Sequence, residues 1–212
     1  MSSPAILSRL STGRLAFGLS IPPMVVVLAG PNGAGKSTTA PALLQGTLGV
    51  AEFVNADAIA GGLSAFNAEG AAIAAGRVML TRLKTLARLR TSFAFETTLA
   101  SRSFAPWLTE LKGTGYAVHL VFLWLSSPEL ALQRVSERVA LGGHDVPPAT
   151  VRRRHRAGLR NFFALYRPLA LTWRFYDASG SEPRLVAHQM ALGPIQIYDS
   201  QSWDLVSQGQ QT

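Results

Sequence analysis

Residues 30–38 read GPNGAGKST and match the pattern G-x-x-x-x-G-K-[ST] of a phosphate-binding loop. Gly33 and Gly35 permit backbone conformations that a Cβ would block, so successive N–H groups can point inward at an anion. Lys36 is expected to reach the β- and γ-phosphates, and the Ser37 hydroxyl to ligate Mg²⁺. The sequence therefore predicts a site for ATP or GTP with Mg²⁺, whose nucleotide-binding residues are Gly30, Pro31, Asn32, Gly33, Ala34, Gly35, Lys36, Ser37 and Thr38.

Two carboxylates follow predicted strands. Asp57 comes just after the strand Glu52–Asn55 and is a candidate general base for a substrate hydroxyl, with helix N-capping as the alternative. Glu96 ends the strand Ser92–Glu96 and either organises Mg²⁺ and its water shell, holds a substrate hydroxyl, or caps the next segment. The expected substrate-binding residues are Asp57, Glu96, Thr97 and Thr98.

Arginines are concentrated in two consecutive predicted helices. Arg134 and Arg138 are four residues apart and therefore share one face of the helix that Ser127 begins. Arg152, Arg153 and Arg154 lie on the next helix, and glycines 142 and 143 between the two helices could form a hinge. This pattern predicts a helical lid whose arginines neutralise a phosphoryl group in transfer. A solvated basic face, or a nucleic-acid surface, is the alternative.

Short apolar strands alternate with helices along most of the chain, which is typical of a parallel sheet covered on both faces. Residues 186–192 and 195–198 instead predict a terminal hairpin or an edge pair of strands. Ligands of such sheets bind beyond the carboxyl ends of the strands, where the loop and both carboxylates are expected. The predicted fold is α/β: a P-loop NTPase three-layer sandwich of the kinase type, with a mostly parallel sheet and an arginine-bearing lid.

The composition limits the classes of function. The 212 residues include no cysteine, which excludes disulfides and thiol nucleophiles, and the net charge of +8 favours an anionic partner. The longest apolar run, residues 24–29, is far shorter than the roughly 18 residues of a membrane span, so no membrane partner and a cytoplasmic location are expected. We expect an N-terminal extension over 1–23, one domain over 24–199 and a flexible tail over 200–212.

Several stretches together resemble the zeta-toxin-like P-loop kinases, and in particular their bacterial branch of predicted ABC-type ATPases. They are GPNGAGKST (30–38), VNADAIAGGLSAFN (54–67), SFAFETTLAS (92–101), FLWLSSPELALQRVSERVALGGHDVP (122–147) and GLRNFFALYRPLA (158–170). The resemblance implies a kinase that phosphorylates a hydroxyl of UDP-N-acetylglucosamine with ATP or GTP, and an antitoxin protein as a partner. The chain has no LSGGQ-like signature of a transport ATPase.

The resemblance also implies roles for single residues. Lys36 and Ser37 handle the phosphates and Mg²⁺, Asp57 matches the base, and Glu96 matches the acid of the substrate pocket. Arg134 matches the first phosphate-contacting arginine. The second would fall near His144, which leaves its role to Arg138 or to the run Arg152–Arg154. Two other functions remain open: a polynucleotide or RNA 5′-hydroxyl kinase, and an ATP-binding regulatory or toxin–antitoxin component without turnover.

Overall fold

A seven-stranded sheet forms the centre of the molecule. The computed structural model describes residues 22–64, 68–143 and 145–208. Within them the strands, in the spatial order β2-β3-β1-β4-β5-β6-β7, are β1 (Met24–Ala29), β2 (Glu52–Val54), β3 (Phe93–Thr97), β4 (Ala117–Trp124), β5 (Thr172–Asp177), β6 (Arg184–Gln189) and β7 (Ile195–Ile197). The first five strands pair in parallel, whereas β6 and β7 add an antiparallel hairpin at one edge. The predicted α/β class and terminal hairpin are confirmed.

Helices cover both faces of this sheet. They are α1 (Lys36–Pro41), α2 (Ala56–Leu63), α3 (Ala68–Arg88), α4 (Phe104–Gly113), α5 (Pro128–Ala140), α6 (Pro148–Asn161) and α7 (Ser200–Gln208). π-Helical turns extend α1 over Ala42–Thr47 and α6 over Phe162–Tyr166. None of the described helices is long and apolar enough to cross a membrane.

The two faces of β1 enter different apolar cores. Val25 and Val27 pack in the core that α3, α4, α7 and the extension of α6 complete, whereas Val26 and Leu28 pack against α1 and α5. Successive side chains of a strand point to opposite faces, so a strand covered on both sides must be apolar throughout. The run MVVVLA meets this requirement and places the residues that follow it at the carboxyl edge of the sheet.

The sequence analysis did not assign two of the helices, α2 and α7. Asn55 caps α2, because its side-chain oxygen accepts hydrogen bonds from the backbone N–H groups of Asp57 and Ala58. The prediction of a flexible tail from Ser200 is wrong for residues 200–208, which form α7. Trp203 lies in the core and stacks on Trp173 with ring centroids 5.5 Å apart, so burial of this aromatic side chain holds the helix in place.

Helix α6 is attached to the carboxyl edge of the sheet at three points. The His155 side chain donates a hydrogen bond to the Leu125 carbonyl oxygen over 2.8 Å, and Asn161 Nδ2 donates to Leu99 O over 2.7 Å. Between them Gly158 crosses the Thr98 carbonyl so closely that a Cβ at this position would lie 2.3 Å from the oxygen. The predicted lid helix is therefore held against the ends of β3 and β4.

Substitution of Gly158 tests this attachment. Gly158→Ala is expected to destabilise the protein by about 1–3 kcal/mol, because the helix must move away from the strand end to accept a methyl group. Gly76→Ala in α3 is the matched control: a Cβ there meets no atom within 4 Å, and the change should stabilise by about 0.5–1 kcal/mol. Urea unfolding measures both values. Equal effects of the two substitutions would contradict the close contact.

Candidate active site

The phosphate-binding loop connects β1 to α1, as the sequence predicts. Gly33 and Gly35 have φ angles of 80° and 76°, in the left-handed region that glycine adopts most readily. Residues 36–41 then continue as α1, so the loop ends at the positive end of a helix. The backbone therefore has the form that binds phosphate groups in such loops.

Lys36 is buried, although it is charged. Its Nζ donates a hydrogen bond to the Pro31 carbonyl oxygen over 2.8 Å and lies 3.6 Å from a carboxylate oxygen of Glu96. Burial lowers the pKa of the Lys36 amine, and the negative charges of Glu96 and Asp57 act in the opposite direction. The amine is thus held between the loop and a carboxylate, beside the predicted phosphate position.

Glu96 is the centre of a polar cluster at the end of β3. Its Oε2 accepts hydrogen bonds from Ser37 Oγ over 2.7 Å and from Asn55 Nδ2 over 2.8 Å. Asn55 Nδ2 also lies within hydrogen-bond distance, 3.2 Å, of Ser37 Oγ. The contact with Ser37 favours the metal-organising interpretation of Glu96, since Ser37 is the predicted Mg²⁺ ligand.

Asn55 was missed by the sequence analysis. It joins Glu96 and Ser37 through its nitrogen and begins α2 through its oxygen. The signal that could have identified it is its place at a strand end, two residues before a candidate base. Because Asn55 caps the helix, the capping interpretation of Asp57 is not supported, and its carboxylate remains available for other contacts.

Asp57 lies in the first turn of α2, and its exposed side chain lines a cleft that also contains Lys36 and residues of the phosphate loop. Within the described part of the chain its carboxylate makes no hydrogen bond or ion pair. Its charge opposes the burial-driven fall in the pKa of both Lys36 and Arg154, so it lies within electrostatic range of both cations. This unpaired carboxylate lines the same cleft as the phosphate loop, so the general-base interpretation stays a prediction that the structure allows.

The predicted arginines have different surroundings. Arg138 lines the cleft, and its positive charge contributes to the lowered pKa of Lys36. Arg154 also lines the cleft: its Nη1 donates to Asn32 Oδ1 over 3.4 Å, and burial lowers the pKa of its guanidinium. Arg152 instead pairs with Glu129 at 3.5 Å, and the exposed Arg153 does not line the cleft.

The contacts of the Arg134 side chain differ from the phosphate contact that the sequence predicts. Its two terminal nitrogens donate to the carbonyl oxygens of Ala178, Ser179 and Gly180 over 2.7, 2.8 and 2.9 Å. These residues, here called the 178–180 loop, follow β5. The guanidinium therefore fixes this loop to α5, and the sequence could not show it because the partners are distant in the chain. His144, near the expected second arginine, lies outside the described residues.

A cleft of about 450 Å³ brings most of these groups together. Its lining combines Asp57, Glu96, Thr97 and Thr98 with residues of the phosphate loop and with Arg134, Arg138 and Arg154. Met79 and Phe104 add apolar walls beside the carboxylates, a feature that the sequence analysis did not identify. The cleft can hold a chain of phosphates along the loop and a second molecule above the strand ends.

Solved structures share this fold. A chain of the AvrRxo1-ORF1:AvrRxo1-ORF2 complex crystallised with sulphate ions superposes with a TM-score of 0.70 at 20% identity, covering 87% of this chain and 63% of that one, so the present chain spans less than two thirds of it. The complex has also been solved with ATP. A chain of the PezAT chromosomal toxin–antitoxin system of Streptococcus pneumoniae has a TM-score of 0.58 at 16% identity, covering 94% and 89%. These likenesses show that the fold of this chain is shared with both structures.

Sequence comparison gives a family. An uncharacterized protein of Haemophilus influenzae is 28% identical over 130 residues, which cover 61% of this chain and 91% of that protein. The family model described as Zeta toxin matches residues 19–172, which include the phosphate loop, both carboxylates and all the arginines discussed above. The chain therefore belongs to the zeta toxin family.

Proposed function

We propose that this protein is an ATP- and Mg²⁺-dependent phosphotransferase that moves the γ-phosphate of the nucleotide to a hydroxyl group of a small molecule. The observation that carries the proposal is the exposed Asp57 carboxylate, which shares one cleft with Lys36 and the phosphate loop. The family membership and the ATP-bound AvrRxo1 complex of the same fold support the choice of donor.

The reaction needs one proton acceptor and several positive charges. Asp57 takes the proton of the acceptor hydroxyl while the hydroxyl oxygen bonds to the γ-phosphorus. The bond from that phosphorus to the β–γ bridging oxygen breaks. Lys36, Arg138 and Arg154 surround the transferring group and stabilise the charge on its oxygens. ADP and a phosphate monoester are the products.

The donor set at the loop fits Mg²⁺. Ser37 offers a hydroxyl oxygen and Glu96 a carboxylate, and such hard oxygen donors are what Mg²⁺ prefers. The described residues hold no group of three or more histidine or acidic side chains that could bind a metal by themselves, so phosphate oxygens and water would supply the remaining ligands. Bound Mg²⁺ neutralises charge on the β- and γ-phosphates.

The acceptor side of the cleft suits a small molecule. Met79 and Phe104 provide apolar contacts, and two threonines lie beside Glu96. UDP-N-acetylglucosamine, the acceptor implied by the family resemblance, is the first compound to test. An RNA acceptor is less favoured, because Arg154 is the one arginine of α6 that lines the cleft within the described residues. An antitoxin is the proposed protein partner, in line with the PezAT system.

Removing the base tests the core of the proposal. Asp57→Asn should lower phosphate transfer at least about 100-fold while Mg·ATP affinity changes little, because the amide cannot accept the hydroxyl proton. The assay incubates protein and γ-labelled ATP with UDP-N-acetylglucosamine or a metabolite extract, and mass spectrometry identifies the labelled product. Asp204→Asn, an exposed acid of α7 outside the cleft, is the control. Full activity of Asp57→Asn would refute the assignment, and nucleotide binding without turnover on any acceptor would favour the regulatory function.

A second variant distinguishes the two interpretations of Glu96. If Glu96 organises Mg²⁺, Glu96→Gln should weaken ATP binding about tenfold or more in Mg²⁺ and much less in EDTA, because a charge-assisted contact is lost. Calorimetry of ATP binding measures both conditions without any acceptor. Glu52→Gln is the control. The Glu52 carboxylate does not line the cleft and lies 2.7 Å from Arg82 Nη2, so its substitution should change neither affinity. Unchanged Mg·ATP affinity would assign Glu96 to the acceptor instead.

The 178–180 loop is proposed to contact the nucleoside. Asp57 and Glu96 come from the ends of β2 and β3, where the acceptor is proposed to bind. Because the γ-phosphate must face the acceptor, the nucleoside end of ATP would point the other way, toward the loops that follow β4 and β5. Arg134 would then act as a positioning residue that fixes this loop through three carbonyl groups.

Comparing two ligands tests the role of Arg134. Arg134→Ala should weaken Mg·ATP binding about tenfold but leave inorganic tripolyphosphate within about twofold, since tripolyphosphate has no nucleoside. Arg138→Ala, one helical turn away, should weaken both. Equal losses for both ligands in Arg134→Ala would restore the phosphate contact that the sequence predicts.

A further inference from the structure

A second cavity, of about 440 Å³, lies between the extension of α6, β7 and α7. We call it the α6–α7 pocket. It shares no residue with the cleft of the phosphate loop, and its size falls within the range of small-molecule sites. Its lining includes Arg160, Phe163, Arg167, Ile195, Trp203 and Ser207.

The charges of this pocket are uncompensated. Its lining contains two arginines and no acidic residue. Within residues 22–64, 68–143 and 145–208, neither Arg160 nor Arg167 makes a side-chain hydrogen bond or ion pair. Asp199, at the start of α7, is engaged elsewhere: one carboxylate oxygen lies 2.7 Å from Arg184 Nη2 and also accepts a hydrogen bond from the Ser202 hydroxyl. The side chains that line the pocket therefore carry a net positive charge.

Arg167 is the more unusual of the two cations. It is half-buried, and burial lowers the pKa of its guanidinium. The guanidinium lies over the Phe163 ring at 5.2 Å and over the Trp173 ring at 5.8 Å. A cation–π contact uses no N–H hydrogen bond, so the N–H groups of this guanidinium can still donate to a ligand. A bidentate oxyanion is the acceptor that this planar group fits best.

The remaining walls are apolar and partly aromatic. Phe163 and Trp203 have ring centroids 5.5 Å apart, and Ile195 of β7 is 41% exposed beside them. Such walls favour a flat apolar body next to the anionic group. The Ser207 hydroxyl adds one polar contact on the α7 side.

We propose that the α6–α7 pocket is a second ligand site, which binds a small organic anion that joins a phosphate or carboxylate group to a planar ring. Arg160 and Arg167 bind the anionic group, and the ring lies against Phe163, Ile195 and Trp203.

The cavity between α3 and α4 is not proposed as an anion site, although it contains Lys84 and Arg90. Glu110 lies in its lining, and Arg90 donates to the Thr114 carbonyl oxygen.

The probe for this site is 1-naphthyl phosphate, which combines both features. Equilibrium dialysis of the fluorescent probe against wild-type protein should show saturable binding of about one probe per chain in addition to any at the phosphate loop. Arg160→Ala should weaken that binding about tenfold or more, because one charge-assisted contact is lost. Arg156→Ala, an exposed arginine of the same helix that lines neither cavity, should change it by less than about twofold.

A third variant separates the two sites. Lys36→Met removes the phosphate-loop cation, and the probe should still bind to this variant with its affinity at the α6–α7 pocket unchanged. Arg167→Lys keeps the charge but loses the planar donors, and should weaken binding as Arg160→Ala does. The proposal is overturned if Lys36→Met abolishes all binding, if Arg160→Ala changes nothing, or if Arg156→Ala is as harmful as Arg160→Ala. None of these outcomes depends on kinase activity.

Discussion

The parallel register between β1 and β3 is the constraint on which the active site depends. Leu28 lies opposite Glu96 and Ala29 opposite Thr97, so the acid reaches the edge of the sheet beside the residue where the phosphate loop begins. A shift of one residue would turn every side chain of β3 to the opposite face. Phe93 and Phe95 pack in one of the two cores and oppose such a shift. Apolar packing below the edge thereby sets the polar geometry above it.

The polar cluster around Glu96 links three separate parts of the chain. Glu96 belongs to β3, Ser37 belongs to α1, and Asn55 lies between β2 and α2. The hydrogen bonds among the three side chains span 2.7–3.2 Å. Because Asn55 also caps α2, the position of Asp57 depends on the same cluster. The proposed nucleotide side and the proposed acceptor side of the cleft are therefore joined by one asparagine. Its replacement would affect both.

Helix α6 performs a similar task for the arginines. Its contacts with the ends of β3 and β4 bring Arg154 to Asn32 of the phosphate loop. The same helix presents Arg153 and Arg156 to solvent and Arg160 to the α6–α7 pocket. One amphipathic segment thus contributes cations to two cavities, and the helical period decides which arginine reaches which cavity.

The parts of the site that could be predicted are those encoded locally. The phosphate loop is a contiguous run, and strand-terminal acids in a parallel sheet must meet at one edge, so Lys36, Asp57 and Glu96 were brought together as expected. The partners of Arg134 could not be predicted, because they follow β5 and meet α5 only through the fold. The same holds for α7: its polar sequence suggests a tail, whereas the fold buries Trp203 against Phe163, Trp173 and Phe175.

The strand order has a consequence for the order in which function is acquired during synthesis. The phosphate loop leaves the ribosome early, but β1 lies between two strands that follow much later, with Val25 paired to Phe93 and Met24 to Ala117. Contacts between distant parts of a chain form slowly and only after both parts exist. A nascent chain that ends before β4 lacks one neighbour of β1, and it lacks Arg138 and Arg154 as well. The cleft beside the phosphate loop is therefore completed only after the chain has been synthesised through α6, long after the loop itself.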